Sequence, residues 1–276
     1  MLKIDAHQHF WIYNEDRDSW ITDDMKVIQR DFLPADLEPV LDENGIDGCV
    51  VVQSDQSPGE NFFQVSNSFD NEIVLGIVGW VDLQAKDIDD QLSFLSNFKR
   101  LKGFRHVLQG EKDRKLMLRK AFINGISLLS KYNFTYDILI FPDQLKYSEE
   151  LVQMFPDQKF VINHIAKPNI KNGDNDCWKQ GIKSIAKHEN VYCKVSGMVT
   201  EADWKHWKQK DFAPYLDVVT EAFGMNRLMF GSDWPVCLLS CSYKKMKGIV
   251  DSYYQSFSES EKDAFYGGNA LEFYDL

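Results

Sequence analysis

Short apolar runs rich in β-branched and aromatic residues alternate along this chain with longer segments of helical period. The short runs cover residues 2–6, 48–53, 74–81, 103–106, 135–140, 160–164, 191–196 and 227–232. They are apolar on both alternations, as strands of a parallel sheet covered on both faces must be. Between them, residues 34–44, 118–129, 143–155, 174–188, 201–223 and 241–257 read as helices. The first ends before Gly45, a helix stop signal. In the second, Leu118, Ala121, Phe122, Gly125, Ile126 and Leu129 fall on one face. This alternation predicts an α/β fold, a single (β/α)8 TIM barrel, with a doubly wound open sheet as the competing arrangement. No Gly-, Ser- or Pro-rich linker interrupts the pattern, so residues 1–276 read as one domain.

In such a barrel the C-terminal strand ends carry the chemistry. Those ends hold Asp5, His7 and His9; Gln53; Trp80; Arg105 and His106; Asn163 and His164, with Lys167 beyond; Ser196; and Asp233 with Trp234. Strict alternation would put Asp5, His7 and His9 on one side of the first strand. The chain has 6 histidines. Four of them, His7, His9, His106 and His164, fall at strand ends, whereas His188 and His206 lie in helical segments and read as surface residues. Any one histidine is most simply a hydrogen-bonded core residue; four at the ends of one barrel point to a site. Asp233 taken alone also reads as a helix cap.

Composition narrows the function. With 31 Lys+Arg against 42 Asp+Glu, the net charge of −11 excludes a basic nucleic-acid-binding face. The apolar run at 73–81 is too short to span a bilayer. The first residues lack the apolar stretch of a secretory signal. The 5 scattered cysteines form no CxxC pair and read as inert thiols in a reducing cytoplasm.

Together the strand-end residues resemble a known family. Asp5-x-His7-x-His9 is similar to the opening of the amidohydrolase superfamily. The Gly-Phe-Arg-His at 103–106, Tyr-Asp-Ile-Leu at 136–139, Lys-Val-Ser-Gly at 194–197, Gly-Ser-Asp-Trp-Pro at 231–235 and Gly-Asn-Ala at 268–270 resemble its sugar lactonases, of the L-fuconolactonase and L-rhamnonolactonase kind. The resemblance implies an amidohydrolase-type barrel that hydrolyses an aldonolactone, a small sugar-derived substrate linked to fucose or rhamnose catabolism. It departs at Asn163, where relatives usually carry Asp; an amide cannot act as a base but retains its hydrogen-bonding capacity.

The resemblance assigns Asp233 as general base on a water. His7, His9 and His164 polarise the carbonyl. Gln53, Arg105, His106, Lys167 and Ser196 become contacts to hydroxyls and carboxylate, with Trp80 and Trp234 as stacking platforms. An ordinary Asp, with a pKa of about 3.9, is a weak base; its surroundings are expected to raise it, or a metal to supply the acidity. Two readings of the cofactor stay open: none obligatory, or one divalent ion, Zn²⁺ best, at His7, His9 and Asp233, with His164 a further candidate ligand. Two rival functions stand beside lactone hydrolysis: a metal-dependent decarboxylase of the same superfamily, and a non-catalytic sugar-binding barrel. Oligomeric state is not legible.

Overall fold

Each of the eight apolar runs becomes a strand in the computed structural model, which describes residues 1–173 and 175–276. They are β1 (Ile4–Gln8), β2 (Gly48–Val52), β3 (Val74–Gly79), β4 (Leu101–His106), β5 (Thr135–Ile138), β6 (Phe160–Ile162), β7 (Val191–Val195) and β8 (Leu228–Phe230). Every strand pairs in parallel with the next in sequence, and strand order equals chain order, so the doubly wound alternative is excluded. The chain just past β8 closes the barrel on β1: Gln8 and Trp234 form a parallel bridge, the Asp233 N–H donates to the His7 carbonyl at 2.8 Å, and the His9 N–H donates to the Trp234 carbonyl at 2.7 Å.

The helices are α1 (Pro34–Glu43), α2 (Pro58–Phe69), α3 (Ile88–Leu95), α4 (Lys120–Leu129), α5 (Leu145–Met154), α6 (Asp176–Ile185), α7 (Ala213–Phe223), α8 (Tyr243–Tyr253), α9 (Glu259–Asp263) and α10 (Asn269–Tyr274). The expected helix over 201–223 is only half formed. It starts at Ala213 with Pro214 in its first turn, where a missing N–H leaves nothing unsatisfied. The expected start of the 174–188 helix, Asp174, lies outside the described residues.

Helix α2 escapes the apolar pattern because its buried face is mostly polar: Glu60, Asn61, Gln64 and Ser68, with Val65 the one apolar member. These side chains hold strand ends in place. Glu60 accepts from the Ser54 N–H at 2.9 Å, the Gln64 amide donates to the Phe10 carbonyl at 2.9 Å, and Asn61 bonds both backbone groups of Trp80. Buried polar groups must be paired, so this helix acts as a clamp on the loops after β1, β2 and β3.

Two apolar layers result. The larger lies between sheet and helices. The smaller fills the barrel interior with Ile4, Ala6, Val50, Val52, Val78, Val161 and Met229, joined by Ala270, Phe273 and Tyr274 from α10. Asp5 does not share a side with His7 and His9. A register irregularity lies between Asp5 and Gln8, and the Asp5 carboxylate faces α8, accepting from the Tyr243 hydroxyl at 3.1 Å. The bulge breaks the alternation and turns His7 inward. Among the described residues the cysteines are free, and no helix is long and apolar enough to cross a membrane.

Candidate active site

At the C-terminal end of the barrel, three imidazoles from two strands converge on one carboxylate. Asp233 Oδ1 lies 3.3 Å from His9 Nε2, 3.8 Å from His164 Nε2 and 4.0 Å from His7 Nε2. All four side chains are buried. The backbone that presents them is unusual. Asp233 sits at φ 58°, and His164, Ile165, Ala166 and Lys167 form an unbroken left-handed run with φ between 48° and 60°. Each such non-glycine residue costs roughly 1–2 kcal/mol, a burden concentrated at the site. The run is tied down by the Trp178 indole N–H, which donates to the Ile165 carbonyl at 2.6 Å. Asp5 secures the opposite side: its Oδ1 accepts the N–H groups of His7 at 3.1 Å and Ser232 at 2.9 Å, linking β1 to the segment that carries Asp233.

Hydrogen bonding fixes the proton positions on two of the imidazoles. The Arg105 guanidinium has only donors and approaches His7 Nε2 at 3.2 Å, so that nitrogen accepts. His9 Nδ1 lies 2.8 Å from the Val52 carbonyl and therefore donates, leaving Nε2 as a lone pair beside Asp233. His164 Nδ1 meets the Ser196 hydroxyl at 2.9 Å. Burial disfavours the protonated form of all three: His7 is held well below its usual range, His9 is lowered, and His164 falls to about 3 despite the opposing charge of Asp233.

Asp233 reverses the expectation of a raised pKa. Burial pushes it up, but His164 and His9, whenever they carry a proton toward it, and the charge of Lys167 pull it below the usual carboxylate range. At neutral pH, with those rings neutral, it is ionised as an ordinary carboxylate is. Burial also lowers Arg105, to about 10 against the pull of Asp137 and Asp233, which leaves it charged. A proton acceptor and a permanent cation thus face the same space. That combination suits attack of water on a carbonyl.

The donor set also fits a divalent metal. His7, His164 and Asp233 each offer a ligand atom within 4.8 Å of the others, and neutral imidazole with carboxylate is zinc chemistry. The trio shares His7 and Asp233 with the expected set and adds His164, the further candidate, while His9 Nε2 lies 3.3 Å from Asp233 Oδ1. His9 stands at its edge, with its Nδ1–H on a backbone carbonyl in the way ligating histidines are oriented.

A cavity of about 440 Å³ opens above the cluster, lined by His9, Arg105, His164, Lys167 and Asp233 among the expected residues. A larger one, about 570 Å³, lies among α6, α7 and the loop that follows β7, and none of the cluster residues lines it. The other expected residues support the cavity or lie off its wall. Gln53 is buried and its carbonyl accepts from Arg105 at 2.6 Å. Ser196 stands behind His164. Trp80 is half-buried and anchored to α2 through Asn61. His106 pairs with Glu111 at 2.8 Å. Trp234 is not a stacking platform: it is buried edge-on against Phe10 and Phe32, because the barrel closure draws it into the core. The open aromatic face at the cavity is instead Trp20, with the buried Trp11 meeting it nearly perpendicular at 6.2 Å. Neither is among the expected residues: Trp11 follows the paired histidines in sequence, a position that marks it, whereas Trp20 sits in a loop without periodicity, and no local signal marks it.

The amidohydrolase family model matches residues 4–276. Over 286 aligned residues the chain is 35% identical to an L-fucono-1,5-lactonase from Burkholderia multivorans, covering 100% of this chain and 96% of that protein. It is 32% identical to an L-fucono-1,5-lactonase from Burkholderia ambifaria, with the same coverage. A crystal structure of an amidohydrolase from Burkholderia multivorans with bound zinc superposes with a TM-score of 0.95 at 34% identity, covering 100% of both chains.

Proposed function

The chain belongs to the amidohydrolase family, and from that premise we propose that it is a hydrolase that opens a sugar-derived lactone, of the L-fucono-1,5-lactone type, to its aldonic acid. The observation that carries this reading is the ionised Asp233 among neutral imidazoles, with Arg105 alongside, in a chain with two full-length relatives that are L-fucono-1,5-lactonases. A water on Asp233 Oδ1, with the His9 Nε2 lone pair as its second acceptor, loses its proton as it attacks the ring carbonyl. The His164 imidazole and the Arg105 guanidinium are the donors for the oxygen that gains charge. When the tetrahedral intermediate collapses, the proton passes from Asp233 or a neighbouring imidazole to the ring oxygen, and the new carboxylate leaves from beside Arg105 and Lys167. A divalent ion held by His7, His164 and Asp233 would supply Lewis acidity in place of the His164 donor, since a ligating ring nitrogen has no proton to give. Trp20 offers a flat apolar face for the sugar ring.

The relatives favour this over decarboxylation. The deciding experiment is a panel of aldonolactones read with a pH indicator, with and without chelator, beside a carbon dioxide assay on aromatic acids. Acid release from a 1,5-lactone supports the reading; carbon dioxide release, or binding without turnover, overturns it.

A further inference from the structure

Beneath the catalytic cluster lies a second buried polar group that no step of the lactonase reading uses. Its centre is Asp137, on β5, fully buried inside the barrel. Three donors converge on it: Lys194 Nζ at 2.6 Å, the Asn163 amide nitrogen at 2.9 Å and the Tyr274 hydroxyl at 2.8 Å. Lys194 and Asn163 are themselves fully buried, and Tyr274 belongs to α10, whose side chains fill the barrel from below. Asn163 Oδ1 in turn accepts from Arg105 at 3.4 Å, and the same Arg105 nitrogen reaches His7. A chain of hydrogen bonds therefore runs from the C-terminal helix through the barrel interior to the guanidinium in the cavity wall.

Asn163 suits this chain of contacts at any pH. It must donate to a carboxylate on one side and accept from a guanidinium on the other, and a single side-chain amide does both. A carboxylate at 163 would face Asp137 oxygen to oxygen, and two carboxylates at that separation cannot both ionise. Asp137 is also the buried countercharge between Lys194 and Arg105, and an unpaired buried charge is strongly unfavourable.

We propose that Asn163, Asp137 and Tyr274 are positioning residues that hold the Arg105 guanidinium in its cavity-facing orientation, making the C-terminal helix part of the active-site support. The part Arg105 plays in catalysis rests on the lactonase reading. Its orientation does not, and it can be measured separately.

The test compares Asn163→Ala and Tyr274→Phe with the parent. Tyr274→Phe removes one hydroxyl far from the cavity and is the variant expected to keep the fold. Two readouts are taken: side-chain ¹⁵N–¹H resonances of Arg105, assigned with Arg105→Lys, and kcat and KM on the lactone. A clamped guanidinium gives separate Nη signals. Both variants are expected to broaden or merge them, and to lower kcat/KM by about 10- to 100-fold for Asn163→Ala and less for Tyr274→Phe, as seen when partners behind a functional group are removed. Unchanged Arg105 signals in both variants overturn the proposal, as does a lowered melting temperature with signals and kinetics intact. If the parent opens no lactone, the functional reading fails, and the guanidinium signals alone decide the relay.

Discussion

Gly197 lies against the His164 imidazole so closely that a methyl group there would stand 2.5 Å from His164 Nδ1. Gly197 also adopts φ 63°, the left-handed region. Its backbone conformation and its missing side chain both serve the same histidine. Gly197→Ala is expected to destabilise the protein by roughly 1–3 kcal/mol and to push the ring off the Ser196 hydroxyl. Turnover should then fall more than the melting temperature suggests. A variant with normal activity would show that the ring position is not critical.

Asp233→Asn keeps the shape of the side chain and removes its ability to take a proton. Loss of about 10²–10⁴-fold in kcat is expected on a lactone substrate, with an unaltered circular dichroism spectrum. Activity within about threefold of the parent would assign the base elsewhere, since even modest proton-transfer catalysis exceeds that margin.

Acid should destabilise the fold. His164 has a folded pKa of about 3 against an ordinary 6.5, so below 6.5 the unfolded chain takes up a proton that the native state refuses. Stability is therefore present above pH 6.5 and lost as pH falls towards 3. His7 and His9 shift in the same direction. Asp5 works against them: burial raises it to about 6, so its contribution is present below its ordinary value and lost as pH rises through about 6. Urea unfolding at pH 7, 6, 5 and 4 should show a net decline towards acid, shallower in His164→Gln. An identical slope in that variant would remove His164 as a cause.

The metal reading separates two ligand sets. Calorimetric zinc titration is expected to show one site, weakened by more than about tenfold in His164→Ala, with a smaller effect in His9→Ala, in proportion to ligating and orienting roles. Equal losses in both variants would restore His9 to the ligand set.

Much of this was readable from residue order. Eight apolar runs became eight strands, and His7, His9, His164 and Asp233 stand together at their ends. Parallel strands buried on both faces carry a continuous apolar signature, and catalytic side chains sit where that signature stops. Helix α2 was silent for the opposite reason, since its buried face is made mostly of Glu60, Asn61 and Gln64. Period-two alternation puts Asp5 on the wrong side because it does not anticipate a bulge.

The sequence by itself determined the barrel and the identity of its chemical groups, because both follow from local periodicity and position along each strand. Only the tertiary structure decided how those groups behave. Burial among imidazoles keeps His164 neutral, and contacts from distant strands keep Asp233 ionised. Barrel closure consigned Trp234 to the core, while Trp11 and Trp20 were left at the cavity wall. The contact between Tyr274 and Asp137 joins the last helix to the fifth strand. Protonation and side-chain direction depend on neighbours brought together by folding, and a linear pattern does not contain them.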